Sequence, residues 1–324
     1  MTSSRPAPVA LPTRFPPADA DPNAPSRAAW FALIAVQILF ATFPVAGKIA
    51  FEGMLPMTVA MWRVAVGAPV FLLLAWRRWG RGVMLPVRDL AFIFWLSLLG
   101  ITFNQVLFIR GLSLSTATNA GLLMPIIPSA TYGFALLLGR ESFRLRRVGG
   151  LVAATAGIAA LFLERGADVG GDTWRGDLMM VGNTFCYALY IVQAKPLLAR
   201  VPPLVFTFWV FFFGALCIPA LAGDAPFVPE SASPRSWLAL LWIVAFPSII
   251  AYLLNLYALK RIEASIVGVF VCLQPLVSLA GAHLVLGEPL RPIIFVTAPL
   301  VLLGVWLVTG ARLSTLLRRL RGPK

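Results

Sequence analysis

Charged side chains are scarce in this chain: Asp, Glu, Lys and Arg together make up 12% of its 324 residues, whereas hydrophobic residues make up 59%. Soluble domains carry about 25% charged residues and roughly 45–50% apolar ones. The mean hydropathy is +0.86. A water-soluble protein of this size cannot hide so much apolar surface in one core. The composition therefore excludes that class and indicates a membrane protein.

Cysteine and histidine are also scarce. Three cysteines in 324 residues exclude a secreted disulfide scaffold. The cysteines lie in different hydrophobic segments without metal-ligand spacing, and the chain has a single histidine, His283. Neither a Ser/His/Asp triad nor a phosphate-binding GxxxxGK[ST] loop can be recognised. We therefore predict that the protein is not an enzyme and has no catalytic residue, metal site or cofactor.

Long hydrophobic runs occupy most of the chain. Each is about twenty residues long, which is the length that a helix needs to cross a bilayer. The predicted spans are 28–50, 57–76, 90–109, 116–138, 148–163, 178–195, 203–221, 237–259, 264–286 and 292–309. The sequence thus predicts an all-α polytopic membrane protein with ten transmembrane helices.

Basic residues are distributed unevenly around these spans. With strict alternation, 20 of the 27 Lys and Arg residues lie on the side of the N-terminus, 6 lie on the other side, and Arg63 lies inside a span. Because cytoplasmic loops carry the excess of Lys and Arg, both termini are expected in the cytoplasm, with the chain in the inner membrane. The net charge of +14 is then explained by lipid headgroups, without a nucleic-acid partner.

A shift of the sequence by 147 residues aligns rare residues with one another. Ten tryptophans should give about 0.1 Trp–Trp matches by chance, and two occur. The unit holds five spans, so its second copy enters the membrane inverted, which is typical of secondary transporters. The alternative is a duplication kept for packing, as in some channels. The aligned pairs include Lys48 and Lys195, Trp62 and Trp209, Trp95 and Trp242, Pro128 and Pro275, and Glu141 and Glu288.

Residues 28–310 resemble the EamA-type members of the drug/metabolite transporter superfamily. The resemblance implies two EamA repeats, 28–164 and 175–310. The proline-rich composition of 1–27 predicts a disordered cytoplasmic tail, and the Arg and Lys residues of 311–324 predict a basic cytoplasmic tail. One departure is Gly-Arg-Glu in the first repeat, where the family has Gly-Glu. The matching residues are Pro128 with Gly139-Arg140-Glu141-Ser142, Gln274-Pro275 with Gly287-Glu288-Pro289-Leu290, Gly157, Gly304, and Arg63 within Met61-Trp62-Arg63.

Arg63 is the one charge well inside a predicted span. An intramembrane arginine is a functional candidate, because its planar guanidinium can bind a carboxylate through two hydrogen bonds. The alternative is that it snorkels to the membrane surface. Other polar and aromatic side chains within spans either line a substrate cavity or join neighbouring helices. As substrate-binding residues we predict Arg63, Gln37, Asn104, Asn119, Tyr187, Tyr190, Tyr252, Asn255 and Gln274.

Prolines and glutamates mark further positions. Pro125, Pro128 and Pro275 lie inside spans four and nine, where each frees a backbone carbonyl. They are predicted to be kinks or hinges beside a central cavity, and the alternative is a kink that serves packing alone. Glu141 and Glu288 each follow a helix-ending glycine and are expected at the N-terminus of the next span.

The resemblance implies a transporter of small molecules. We predict export of a small metabolite, an amino acid or related compound that includes aromatic ones, across the inner membrane by alternating access. The protein is expected to be a monomer or a weak homodimer. Alternatives are a channel or facilitator, a drug-efflux protein for amphipathic compounds, and an intramembrane enzyme acting on lipid. The absence of Asp or Glu from the middle of the spans indicates a facilitator, or proton exchange by another route.

Overall fold

The structure is a computed structural model that describes residues 27–163, 173–259, 270 and 273–309. Within these ranges the backbone is helical and contains no strand. The predicted tails lie largely outside the described residues. The helices are α1 (Arg27–Phe51), α2 (Pro56–Val83), α3 (Val87–Leu114), α4 (Ala117–Leu137), α5 (Leu145–Leu163), α6 (Thr173–Leu198), α7 (Pro203–Leu221), α8 (Pro234–Ala258), α9 (Leu273–Leu286) and α10 (Ile294–Thr309).

Six helices, α1 to α4, α7 and α8, are long and apolar enough to cross a membrane. Helices α9 and α10 are apolar as well, but are shorter within the described residues. The prediction of an all-helical, multi-pass membrane fold is therefore supported, and the number of ten spans stays a prediction.

Three of the long helices are locally irregular. Helices α3 and α8 contain π-helical segments at Leu98–Phe103 and Val244–Ile250, which the 147-residue shift brings into register. Helix α4 contains a 3₁₀ turn at Met124–Ile126, directly before Pro128. Prolines and π segments are ordinary causes of helix distortion. The distortion lies where Pro125 and Pro128 were predicted to act, and their role as hinges stays a prediction, as does that of Pro275 on α9.

The main helix contacts between the two halves occur in pairs that are related by exchange of the halves. Helix α1 packs on α8 and α9, and its counterpart α6 packs on α3 and α4. Helices α2 and α7, α4 and α9, and α5 and α10 pack on each other. We call the end of the bundle at which α1 begins the near end, and the end at which α1 ends the far end. The two halves thus interlock rather than lie side by side.

Small residues allow the closest of these crossings. At Gly176 on α6, an added Cβ atom would lie 2.5 Å from the backbone oxygen of Gly111 on α3. The shift relates this pair to Ala29 on α1 and Ala258 on α8, which are fully buried in one small cluster. The same helix crossing is therefore built twice, in each case from residues that let the backbones approach.

We expect Gly176→Ala to destabilise the protein by about 1–3 kcal/mol, because the new methyl group meets backbone that cannot rotate away. Gly149→Ala on α5 is the matched control, since nothing lies within 4 Å of its added Cβ. Thermal unfolding in detergent measures both variants. Equal unfolding temperatures would contradict the close crossing.

Candidate substrate site and the ties around it

Arg63 lies on α2 with only 6% of its surface exposed. Pro56 starts α2, so Arg63 is about 10 Å along the helix at 1.5 Å per residue. Its Nε donates a hydrogen bond to Ser248 Oγ on α8 at 2.8 Å. Its guanidinium carbon lies 4.2 Å from the centre of the Phe43 ring on α1. The side chain therefore points into the bundle, between helices of both halves.

The charge of Arg63 has few partners. Ser248 is its only hydrogen-bond partner among the described residues, and no carboxylate there pairs with it. Ser248 itself donates to the backbone oxygen of Ile243 at 2.7 Å. A guanidinium has five N–H donors, so most of them are left for something else. Because a buried charge is costly unless it is paired, this position is suited to an anionic group.

Aromatic rings surround Tyr252, which follows the π segment of α8. Its ring centre lies 5.9 Å from that of Phe40, 6.2 Å from Phe71 and 5.4 Å from Phe211. Tyr252 is itself a neighbour of Arg63. The rings from α1, α2, α7 and α8 thus form an apolar wall around Tyr252, close to the charge.

Tyr187 and Tyr190 come to the same place from α6. Their rings stack with centres 5.6 Å apart, and Tyr190 also stacks on Phe206 at 6.0 Å. Gly100 on α3 makes room, because a Cβ there would lie 2.5 Å from the Tyr190 ring. Both tyrosines are neighbours of Tyr252. We call the group Arg63, Phe43, Ser248, Tyr187, Tyr190 and Tyr252 the central cluster.

Other predicted site residues join helices. Asn104 and Asn183 donate to each other's backbone oxygens at 3.4 Å and 2.8 Å, which ties α3 to α6. Gln274 on α9 donates to Gln37 Oε1 on α1 at 2.7 Å. Asn255 is half-buried on α8, one turn beyond Tyr252. The amides of Asn104, Gln37 and Gln274 are thus used in ties between the two halves.

Asn119 binds a buried carboxylate. Its Nδ2 lies 3.2 Å from both oxygens of Asp177, which also accepts from Ser115. Asp177 is fully buried. Helix α6 begins at Thr173, before the predicted start of span six at Leu178, and so includes Asp177. The hydrogen bonds offset the cost of burying the charge, and Asn119 serves that purpose here.

Glu288 ties the second half to the first at the far end. Its Oε1 accepts from the Ala117 backbone N at 2.8 Å, and its Oε2 accepts from the Thr118 N at 2.9 Å. The sequence had placed Glu288 at the N-terminus of the next span. That expectation is wrong, because Gly287, at φ +68°, ends α9 beside α4, on which α9 packs. The carboxylate instead caps α4, at the positive end of that helix.

Two equivalent tryptophans tie loops of opposite halves. Trp62 on α2 donates from Nε1 to the Phe227 backbone oxygen at 2.7 Å, in the loop between α7 and α8. Trp209 on α7 donates to the Val83 backbone oxygen at 2.8 Å, at the end of α2. The 147-residue shift aligns Trp62 with Trp209, but the sequence did not indicate that either side chain forms a hydrogen bond to the other half. One bond lies at the far end and the other at the near end.

Ion pairs differ between the ends. At the near end, Arg200 donates to both oxygens of the buried Asp89 carboxylate, at 2.6 Å and 3.1 Å. At the far end, Arg235 lies 3.6 Å from Glu52, and both side chains are exposed. Bidentate pairs are the stronger kind, and exposed single contacts contribute little. Sequence reasoning missed both pairs, because Asp89 and Arg200 lie far apart along the chain.

Within the described residues, six helices long and apolar enough to cross a membrane, two interlocked halves and a buried cation define a helical membrane protein. The EamA-like transporter family matches the chain twice, over residues 27–163 and again over 174–310. The chain belongs to this family, which confirms the resemblance seen in the sequence. Membership implies a transporter rather than an enzyme.

Several known proteins are similar along most of the chain. An uncharacterized transporter of Archaeoglobus fulgidus is 28% identical over 269 residues, which cover 81% of this chain and 91% of the relative. The uncharacterized transporter YyaM of Bacillus subtilis is 26% identical, covering 79% and 85%. A WAT1-related protein of Arabidopsis thaliana is 28% identical, covering 69% and 66%. A crystal structure covers 90% of this chain and 98% of its own, with a TM-score of 0.62 and 19% identity, and so shares the fold.

We expect Glu288→Ala to destabilise the protein by about 1–2 kcal/mol, because two backbone N–H groups of α4 lose their acceptor. The matched control is Glu141→Ala in the equivalent loop, where the glutamate pairs with Arg147. A surface ion pair of this kind contributes about 0–1 kcal/mol. Thermal unfolding measures both variants, and an equal or larger loss for Glu141→Ala would contradict the capping role.

Proposed function

We propose that this protein exports a small metabolite, an amino acid or a related compound, across the inner membrane by alternating access. The observation that carries the proposal is Arg63, a buried cation without a carboxylate partner among the described residues. A substrate carboxylate is the complement that its free N–H donors need. The family supplies the class of activity, and the central cluster supplies the substrate chemistry.

The packing of the two halves supports alternating access. The main contacts between the opposite halves occur in pairs related by exchange of the halves, so two conformations related by that exchange would keep similar packing. In one conformation the two halves would separate at the far end, and in the other they would separate at the near end. The ties through Trp62 and Trp209 would then open in turn. Inversion of the two repeats within the bilayer is part of this proposal.

The rings around Tyr252, a neighbour of Arg63, favour substrates with an apolar side chain. Phe40, Phe71, Phe211 and Tyr252 offer faces and edges to an aromatic or aliphatic group. The same wall favours a second candidate function, efflux of amphipathic drug-like compounds. An aromatic amino acid combines a carboxylate for Arg63 with a ring for this wall, and we therefore use phenylalanine as the first probe.

We expect Arg63→Ala to lower the initial rate of phenylalanine counterflow in proteoliposomes by about 100-fold, because a buried hydrogen-bonded charge pair is lost. Phenylethylamine lacks the carboxylate. If wild type transports it, Arg63→Ala should transport it at the same rate. Arg88→Ala is the control, since Arg88 is exposed on the first turn of α3. If Arg63→Ala transports phenylalanine as fast as wild type at equal protein abundance, Arg63 is not part of the substrate site. If wild type transports phenylethylamine but not phenylalanine, drug efflux is the favoured function.

We expect the near end to face the cytoplasm. In a variant without native cysteines, Glu230→Cys in the far-end loop should react with a membrane-impermeant maleimide on intact cells. Arg81→Cys at the near end should react only after the cells are permeabilised. Both residues are exposed in the structure, so burial does not limit the labelling. The reverse pattern, or labelling of both in intact cells, would overturn the orientation.

A further inference from the structure

Gln105 is a buried amide without a partner. It lies on α3 with 2% of its surface exposed. Neither its Nε2 nor its Oε1 has a hydrogen-bond partner among the described residues, and neither has the hydroxyl of Thr102, one turn earlier. Buried polar side chains are nearly always hydrogen-bonded, because leaving one unpaired costs the desolvation free energy of its atoms. An unpaired buried amide of this kind indicates that a bound molecule, such as the substrate, supplies the missing hydrogen-bond partner.

The position of Gln105 on α3 directs it toward the central cluster. It lies four residues after Ile101 and three before Phe108, so the three share one face of the helix. Phe108 packs against Phe43, with ring centres 5.1 Å apart. The Phe43 ring in turn lies under the Arg63 guanidinium. Gln105 is thus on the helix face that contacts the ring on which Arg63 rests.

The repeat makes Gln105 the counterpart of Tyr252. Each is the second residue after a π-helical segment, Leu98–Phe103 in α3 and Val244–Ile250 in α8. π-helical turns are rare and are frequently found at functional sites. Tyr252 belongs to the central cluster, so the equivalent position in the first half is the expected place for a second polar contact to the substrate.

We propose that Gln105 binds the ammonium group of a zwitterionic substrate whose carboxylate is bound by Arg63. This assignment rests on the proposed function and adds the amino group as a determinant of specificity. An ammonium group needs acceptors. Arg63 offers only donors, whereas the Oε1 of Gln105 is a buried acceptor that has no partner among the described residues.

The test compares L-phenylalanine with 3-phenylpropionate, which lacks only the amino group. Binding of each is measured on the purified full chain, for wild type and Gln105→Leu. We expect Gln105→Leu to weaken phenylalanine binding by about tenfold, the usual effect of losing one hydrogen bond to a charged group. Binding of 3-phenylpropionate should stay unchanged. Equal loss for both compounds, or no loss for either, would overturn the assignment.

Unfolding without ligand gives a second readout. If the amide is unpaired in the protein, Gln105→Leu raises or preserves the unfolding temperature, because leucine removes a buried polar group without a cavity. A lower unfolding temperature would mean that the amide stabilises the fold, which overturns the assignment. Thr297→Val on α10 is the matched control, since that hydroxyl is also buried and unpartnered among the described residues. It should leave phenylalanine affinity unchanged.

Two further outcomes separate this assignment from the proposed function. Wild type that binds 3-phenylpropionate as tightly as phenylalanine would overturn the role of Gln105 and leave carboxylate binding by Arg63 intact. Wild type that binds neither compound would overturn the proposed substrate class, and the assignment with it.

Discussion

Each half of this protein depends on the other for its buried contacts. Helices α1 and α6 pack mainly on helices of the opposite half, and α2 with α7 and α5 with α10 pair across the same boundary. A helix in lipid can satisfy its own backbone but gains little from contact with apolar neighbours. Close crossings at small residues and polar ties such as that of Glu288 therefore have to hold the halves together.

The central cluster lies where that boundary crosses the bundle. Arg63 comes from the first half and Ser248 from the second, and the tyrosines come from α6 and α8. The first half supplies the cation and Gln105, and the second supplies hydroxyl groups and most of the rings. Equivalent positions in the two halves thus carry different side chains, and in the proposed binding mode they contact different chemical groups of one asymmetric substrate.

Much of this arrangement could be predicted from the sequence. The long apolar runs predicted the helices, and the alignment of rare residues predicted the repeat. The position of Arg63 within an apolar run predicted a charge inside a helix that crosses the membrane. The partners of polar residues could not be predicted. Asn104 and Gln105 are neighbours in sequence but point about 100° apart on a helix. Only the packing of α3 decides that Asn104 ties two helices while Gln105 remains unpaired. Glu288 likewise binds a helix that lies 170 residues away.

The two ends of the bundle have diverged since the duplication. At the near end, Arg200 binds Asp89 through two hydrogen bonds. The 147-residue shift relates these residues to Gly53 and Ser236 at the far end, which cannot form an ion pair. At these positions the near end therefore has a stronger contact between the halves than the far end. In the proposed alternating-access cycle, this contact favours the conformation that is closed at the near end. A few charges far from the binding residues can thus shift the resting population of the empty carrier, and its apparent affinity on each side, without changing which substrate it prefers.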